Sequence, residues 1–206
     1  GSSDGSGTLA VKMTDAPAAQ DYAEVWVTVE KIRVHRADTD DQEDEGWSEI
    51  VLDPPKKVDL LTLRNGVTVE LGELELTAGD YTQIRLVLGK GPTDNTVVLA
   101  SDPGVEIPLT TPSGQTSGLK LIHPFQVGDG ETVELTLDFD AMRSVVATGS
   151  GKYLLKPTIA VIPTVDGGGA PVAADMAGSF GDDSANGASV SLQAYDPSTD
   201  SVAVVR

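Results

Sequence analysis

Thr132-Val133-Glu134-Leu135-Thr136-Leu137-Asp138-Phe139 decides the fold class. Apolar side chains take every second position, and Thr, Glu, Thr and Asp take the positions between them. A period of two puts the first set on one face of an extended strand and the second on the other, whereas a helix would scatter both around its surface. The same period recurs outward from this stretch. Leu9, Val11 and Met13 alternate with Ala10, Lys12 and Thr14, ending at the turn Asp15-Ala16-Pro17. Val25, Val27 and Val29 share a face opposite Trp26 and Thr28, and the phase slips at Glu30-Lys31 before Ile32 and Val34 resume it. A one-residue slip is the mark of a bulge or bend, so a long bent strand or two abutting strands is expected here.

Trp47 to Leu52 reads as a strand closed by Pro54-Pro55, and Val58 to Leu63 fits either a strand or one helical turn. Asn65-Gly66 is a strong turn signal. Val67 to Leu76 changes phase around Gly72, and Tyr81 to Leu88 turns Ile84, Leu86 and Leu88 inward. Short strands follow at Thr96–Leu99, Val105–Leu109 and Leu119–Ile122. Asp140 is the expected N-cap of a short helix over Ala141–Val146. Tyr153 to Ile162 reads as one strand, with Pro157 marking an edge or a bulge.

Closely spaced strands joined by turn residues predict an all-β chain: an antiparallel Ig-like or transthyretin-like β-sandwich with one short helix. No long amphipathic helix interrupts them, which argues against a parallel βαβ sheet. The expected organisation is a flexible tether over residues 1–7, the sandwich over 8–163 and a Gly/Pro/Ala-rich linker over 164–185. Residues 186–206 begin a second β domain or dock on the first as extra strands.

Composition narrows function. Across 206 residues, 14 Lys and Arg face 32 Asp and Glu, a formal charge of -18. That sign repels phosphate backbones and anionic headgroups, so nucleic acid is not an expected partner; it favours cations, basic partners or plain solubility. With no cysteine, disulfides, thiolate nucleophiles and Cys-ligated zinc or iron–sulfur centres are excluded. His35 and His123 are the sole histidines, too few for a His-rich metal site. The small polar run Gly1-Ser2-Ser3-Asp4-Gly5-Ser6-Gly7 resembles the tethers that follow the lipid-modified cysteine of bacterial lipoproteins; a cloning remnant is the alternative origin.

Several segments carry a family resemblance: Leu9-Ala10-Val11-Lys12-Met13-Thr14-Asp15-Ala16-Pro17, Val27-Thr28-Val29-Glu30-Lys31-Ile32 and Leu76-Thr77-Ala78-Gly79-Asp80-Tyr81-Thr82-Gln83-Ile84-Arg85-Leu86. Leu137-Asp138-Phe139-Asp140 and Leu154-Leu155-Lys156-Pro157 extend it. Over residues 8–163 the chain resembles a bacterial and archaeal lipoprotein family known as domain of unknown function 4382. The resemblance implies an exported, often lipid-anchored β-sandwich, with no established activity and no catalytic residues to carry over. Gly178-Ser179-Phe180, Asn186-Gly187-Ala188-Ser189-Val190 and Ala194-Tyr195-Asp196 are similar to the start of carboxypeptidase-regulatory-like, transthyretin-type β domains.

Among candidate sites, Asp38-Thr39-Asp40-Asp41-Gln42-Glu43-Asp44-Glu45 is the sharpest, because Ca²⁺ takes hard oxygen ligands. Asp38, Asp40, Asp41 and Asp44 are the candidate ligands, and Ca²⁺ is the one cofactor the sequence suggests. It is not an EF-hand: Glu43 stands where that loop needs Gly, and the flanks read as strands. The plainer reading is a solvated hairpin tip. Trp26 and Trp47 are candidate ligand-binding residues as an aromatic platform for carbohydrate, against the alternative of half-buried packing. Asp138 and Asp140 share a strand face and suit acid/base work, unless Asp140 caps the helix. His35 is expected at solvent or a sheet edge and His123 in a turn. No Gly-x-Ser-x-Gly elbow occurs, and Gly89-Lys90-Gly91-Pro92 lacks the phosphate-loop pattern.

The function expected from these features is a non-catalytic, extracytoplasmic module of the cell surface or periplasm, binding a protein or glycan of the cell envelope. It would meet the membrane only through an N-terminal lipid anchor outside this chain. A Ca²⁺-dependent adhesive or structural domain is the first alternative, and a carboxylate-based hydrolase using Asp138, Asp140 and His123 is the second.

Overall fold

The structure is a computed structural model that describes residues 5–16, 21–37, 46–112 and 118–166. These residues belong to the first of the two units into which the chain divides, Gly1–Pro171 and Val172–Arg206. In chain order the elements are β1 (Ser6–Asp15), β2 (Tyr22–Arg36), β3 (Trp47–Asp59), a 3-10 turn (Leu60–Leu63), β4 (Val69–Thr77), β5 (Gly79–Leu88) and β6 (Thr96–Leu99). There follow β7 (Glu106–Thr110), β8 (Leu119–Val127), β9 (Thr132–Phe139), α1 (Ala141–Ser144), β10 (Val145–Ala147), β11 (Tyr153–Leu155) and β12 (Ile159–Asp166).

Two sheets carry these strands. The smaller has the order β12-β9-β1-β4; the larger runs β10-β11-β7-β6-β2-β5-β8, with β3 on the other edge of β2. Most pairings are antiparallel, as expected for a sandwich, but β1 pairs β9 and β7 pairs β11 in parallel. Alternation does what it predicts: Val133, Leu135, Leu137 and Phe139 of β9 are buried beside Leu9, Val11 and Met13 of β1. They share one apolar cluster with Val25, Val27, Ile84 and Leu86 of the larger sheet. Each such side chain removed from water contributes about 1.5–3 kcal/mol, which makes this cluster the main source of cohesion.

Local chemistry accounts for the exceptions. Ser6 and Gly7, expected in the tether, pair with Thr77 and Leu76 as part of β1. A Cβ at Gly7 would sit 2.5 Å from the Gly128 carbonyl oxygen, so only glycine lets the two backbones approach. β3 continues through Pro54 and Pro55, because at that level it does not need their missing amides: Lys31 of β2 faces Val51, and Val29 faces Lys56. The ambiguous Val58–Leu63 segment divides between both readings. Val58 and Asp59 end β3, and the Asp59 side chain caps the turn by accepting from Leu61 N. Asn65 and Gly66 both have positive φ, 62° and 80°, the requirement of a type I′ turn. The phase change in β4 is a register shift against Val11 at Gly72. Tyr153–Ile162 is not one strand: β11 joins the larger sheet and β12 the smaller, with Pro157 at the crossing. His123 lies within β8 rather than in a turn, and the following Pro124 is tolerated because β8 closes the sheet order.

One line of irregular pairing crosses the larger sheet. β5 and β6 lie end to end along the same edge of β2, opposite Val29–Arg36 and Tyr22–Trp26 respectively. They are one extended path interrupted by the Gly89–Asn95 excursion. β8 flanks β5 and β7 flanks β6, so β7 and β8 form a second path, interrupted between Thr110 and Leu119. At the same level β2 shifts register between Val29 and Lys31 against both neighbours. The slip at Glu30-Lys31 is therefore the trace in β2 of a break that runs across the sheet.

Candidate functional site

Where the two interrupted paths lie side by side, the sheet holds a cleft of about 320 Å³. Its floor is Leu86, Leu88, Leu109 and Leu119, and its walls are Gly89–Pro92 on one side and Thr110–Pro112 on the other. The size falls at the lower end of the range for small-ligand sites, and the pairing of an apolar floor with a rim of main-chain polar groups is typical of them.

The first wall is pinned by its own polar side chains. Asn95 is 2% exposed; its Oδ1 accepts from Thr28 N at 3.0 Å, and its Nδ2 donates to the Gly89 carbonyl at 2.7 Å. The amide side chain thus supplies the ladder bonds that the break in β5/β6 removes. Thr28 Oγ1 donates to the Asp94 carbonyl at 2.6 Å, and Lys57 Nζ to that of Thr93 at 3.0 Å. The Asp94 carboxylate accepts from Gly91 N. Added Cβ atoms at Gly89 and Gly91 would approach its Oδ2 to 2.6 and 2.7 Å, so the two glycines let the carboxylate sit close against the loop. A wall fixed in this way loses little conformational freedom when a ligand arrives.

The residues singled out from sequence are dispersed. Trp26 and Trp47 both lie on β2/β3 but pair at opposite ends of that ladder, with Asp59 and His35. Trp26 is half-buried, its Nε1 donating to Glu24 Oε2 at 2.6 Å. The ring of Trp47 carries the guanidinium groups of Arg33 and Arg85, each 4.6 Å from its centroid. His35, expected at solvent or a sheet edge, is 1% exposed, because Trp47 is its cross-strand neighbour and covers it at a ring separation of 4.6 Å. Asp38, Asp40, Asp41 and Asp44 lie outside the described residues, as do residues 167–206 with the candidate second domain.

Asp140 Oδ1 accepts from Arg143 N at 3.0 Å, so it caps α1 as expected. Its neighbour Asp15, which sequence reasoning passed over, is a buried and perturbed acid. Asp15 ends β1 at 4% exposure; its Oδ1 accepts from Ala141 N at 2.9 Å, and its Oδ2 has no hydrogen-bond partner. Burial, with smaller contributions from the charges of Asp140 and Asp138, pushes its pKa up to about 6, against the opposing pull of the Ala141 amide and of Arg64. Among the described residues no group of three or more His, Asp or Glu is arranged to hold a metal ion. No helix among them is long and apolar enough to cross a membrane.

The profile of the family described as domain of unknown function DUF4382 matches residues 6–157. The chain belongs to the DUF4382 family. The DUF4382 match spans β1 to β11 and therefore contains every residue of the cleft, while β12 lies beyond it. No curated protein matches the chain.

Proposed function

We propose that this DUF4382 protein is a non-catalytic binding module of the cell envelope whose ligand occupies the cleft at the strand break. The observation that carries the reading is the preformed wall, Gly89–Asn95, held by buried Asn95 over an apolar floor. Among the described residues the lining offers neither a carboxylate pair nor a histidine beside a hydroxyl, which acid/base or nucleophilic chemistry would need. The carboxylate of Asp140 is already engaged as a helix cap, which speaks against the hydrolase reading. Four leucines give a sugar no hydrogen bonds, so an apolar group of a protein partner suits the floor better than a glycan. The extracytoplasmic, lipid-anchored part of the proposal rests on the Gly/Ser-rich start of the chain.

Two experiments test it. The intact protein is applied to a glycan array and to envelope extracts beside Leu109→Trp, which fills the cleft. A partner held by the wild type and released by the variant is expected, and a partner held equally by both would contradict the site assignment. Alkyne fatty-acid labelling of the full-length protein in its native cells should mark it; an unlabelled cytoplasmic pool would overturn the envelope assignment.

A further inference from the structure

Around Trp47 the outward face of the larger sheet sets two arginines against each other, in a chain whose acids outnumber its bases by 32 to 14. Arg33 of β2 alternates with Ile32 and Val34, and Arg85 of β5 with Ile84 and Leu86, all four of them buried in the core. Both arginines therefore project from the other face, where they are direct partners in the β2/β5 ladder. Like charges directly opposite one another oppose strand pairing. One aromatic ring and one carboxylate offset this. Each guanidinium carbon lies 4.6 Å from the Trp47 ring centroid, and Arg33 Nε pairs with Glu49 Oε1 at 2.6 Å. The other oxygen of Glu49 is taken by Lys31 Nζ at 3.2 Å. Arg85 is left with the ring: it makes no ion pair among the described residues, and its Nε has no hydrogen-bond partner. The cation over Trp26 differs, since Lys57 there also has Glu106 at 3.9 Å.

A ring against a guanidinium occupies its face and leaves the in-plane N–H donors available. Those donors form a fork that fits a carboxylate through two parallel bonds. The surroundings add apolar area. Ile122, opposite Gln83 in the β5/β8 ladder, is 76% exposed, and Val51, opposite Lys31, is 61% exposed. Trp and Arg flanked by exposed aliphatic side chains match the composition of protein-docking surfaces. The two arginines also lie over the ring on which a sugar would stack, which favours an anion over a neutral glycan. We infer that this face docks an acidic, partly apolar segment of a partner protein, one carboxylate of which sits on the Arg85 fork beside Trp47.

The test is an NMR titration of the intact protein, followed at the Trp47 indole and Arg85 Nε signals. The probes are acetyl-Glu-Leu-Glu-Leu-Glu-amide and its counterpart with Gln in place of Glu. The acidic peptide is expected to shift both signals and to bind about ten-fold tighter than the Gln peptide. Arg85→Gln should erase that preference. Arg85→Lys keeps the charge without the fork and should weaken the acidic peptide about three-fold, which decides the matter should Arg85→Gln not fold. Leu109→Trp, which fills the cleft, should leave this binding unchanged. Equal binding of the two peptides, shifts away from Trp47, loss of binding in Leu109→Trp, or no binding at millimolar peptide would overturn the inference and leave the Arg–Trp cluster as packing between strands. Tighter binding of a heparin hexasaccharide would assign the face to an anionic glycan instead. A dimer in sedimentation that Arg85→Gln dissociates would assign it to a second copy of the chain, and either result overturns the partner inferred.

Discussion

Asp15 concentrates the residue-scale physics. Its folded pKa of about 6 stands above the ordinary 3.8, so the fold prefers its protonated form. The associated stability is complete below pH 3.8 and is lost as pH rises towards and through 6. Acidification from pH 7 to 4 should therefore add stability from this group, on the order of 1–3 kcal/mol. Asp15→Asn keeps an acceptor for Ala141 N and removes the charge; chemical denaturation across that range should find it more stable than wild type at pH 7 and flatter in its pH response. A variant that is less stable at pH 7 would mean that the charge is stabilised rather than penalised. Asn95→Ala acts in the other direction, leaving Thr28 N and the Gly89 carbonyl without their partner in a buried setting. It should cost about 2–3 kcal/mol by urea unfolding, and faster hydrogen exchange should be confined to the Thr28 amide and the Gly89–Asn95 wall. Neither residue stands out in the sequence. Asp15 looks like the first residue of a turn and Asn95 like one polar loop residue among several, because their burial comes from strands far away in the chain.

At the scale of elements, periodicity makes the strands legible and phase slips make the bulges legible. The slip at Glu30-Lys31 and the change at Gly72 both correspond to register shifts, since an extra residue moves every later side chain to the other face. Gly72 has φ 151°, and a Cβ there would lie 2.7 Å from Ile50 Cγ2. Gly72→Val should lower stability by about 1–3 kcal/mol in thermal or urea melts, whereas Gly104→Ala, with nothing within 4 Å, isolates the smaller backbone penalty of its positive φ. The cap at Asp140 was legible for the same local reason: its partner is three residues away. What local pattern cannot encode is which strands are neighbours. The parallel pairing of β1 with β9, the change of sheet at Pro157 and the end-to-end placement of β5 with β6 are decided by long-range packing. The cleft depends on the last of these, so Gly89-Lys90-Gly91-Pro92 reads in sequence only as a loop without a phosphate motif.

For the whole molecule, the acidic composition and the site have to be considered together. A charge of -18 repels anions at long range. The central claim, that the break across the larger sheet is the binding site, is tested most directly by amide NMR spectra of the intact protein titrated with octanol as an apolar probe. The account predicts perturbations confined to Leu86–Asp94, Leu109–Thr111 and Leu119. Perturbations centred instead on Trp47, Arg33 and Arg85, or none at saturating concentrations, would contradict it.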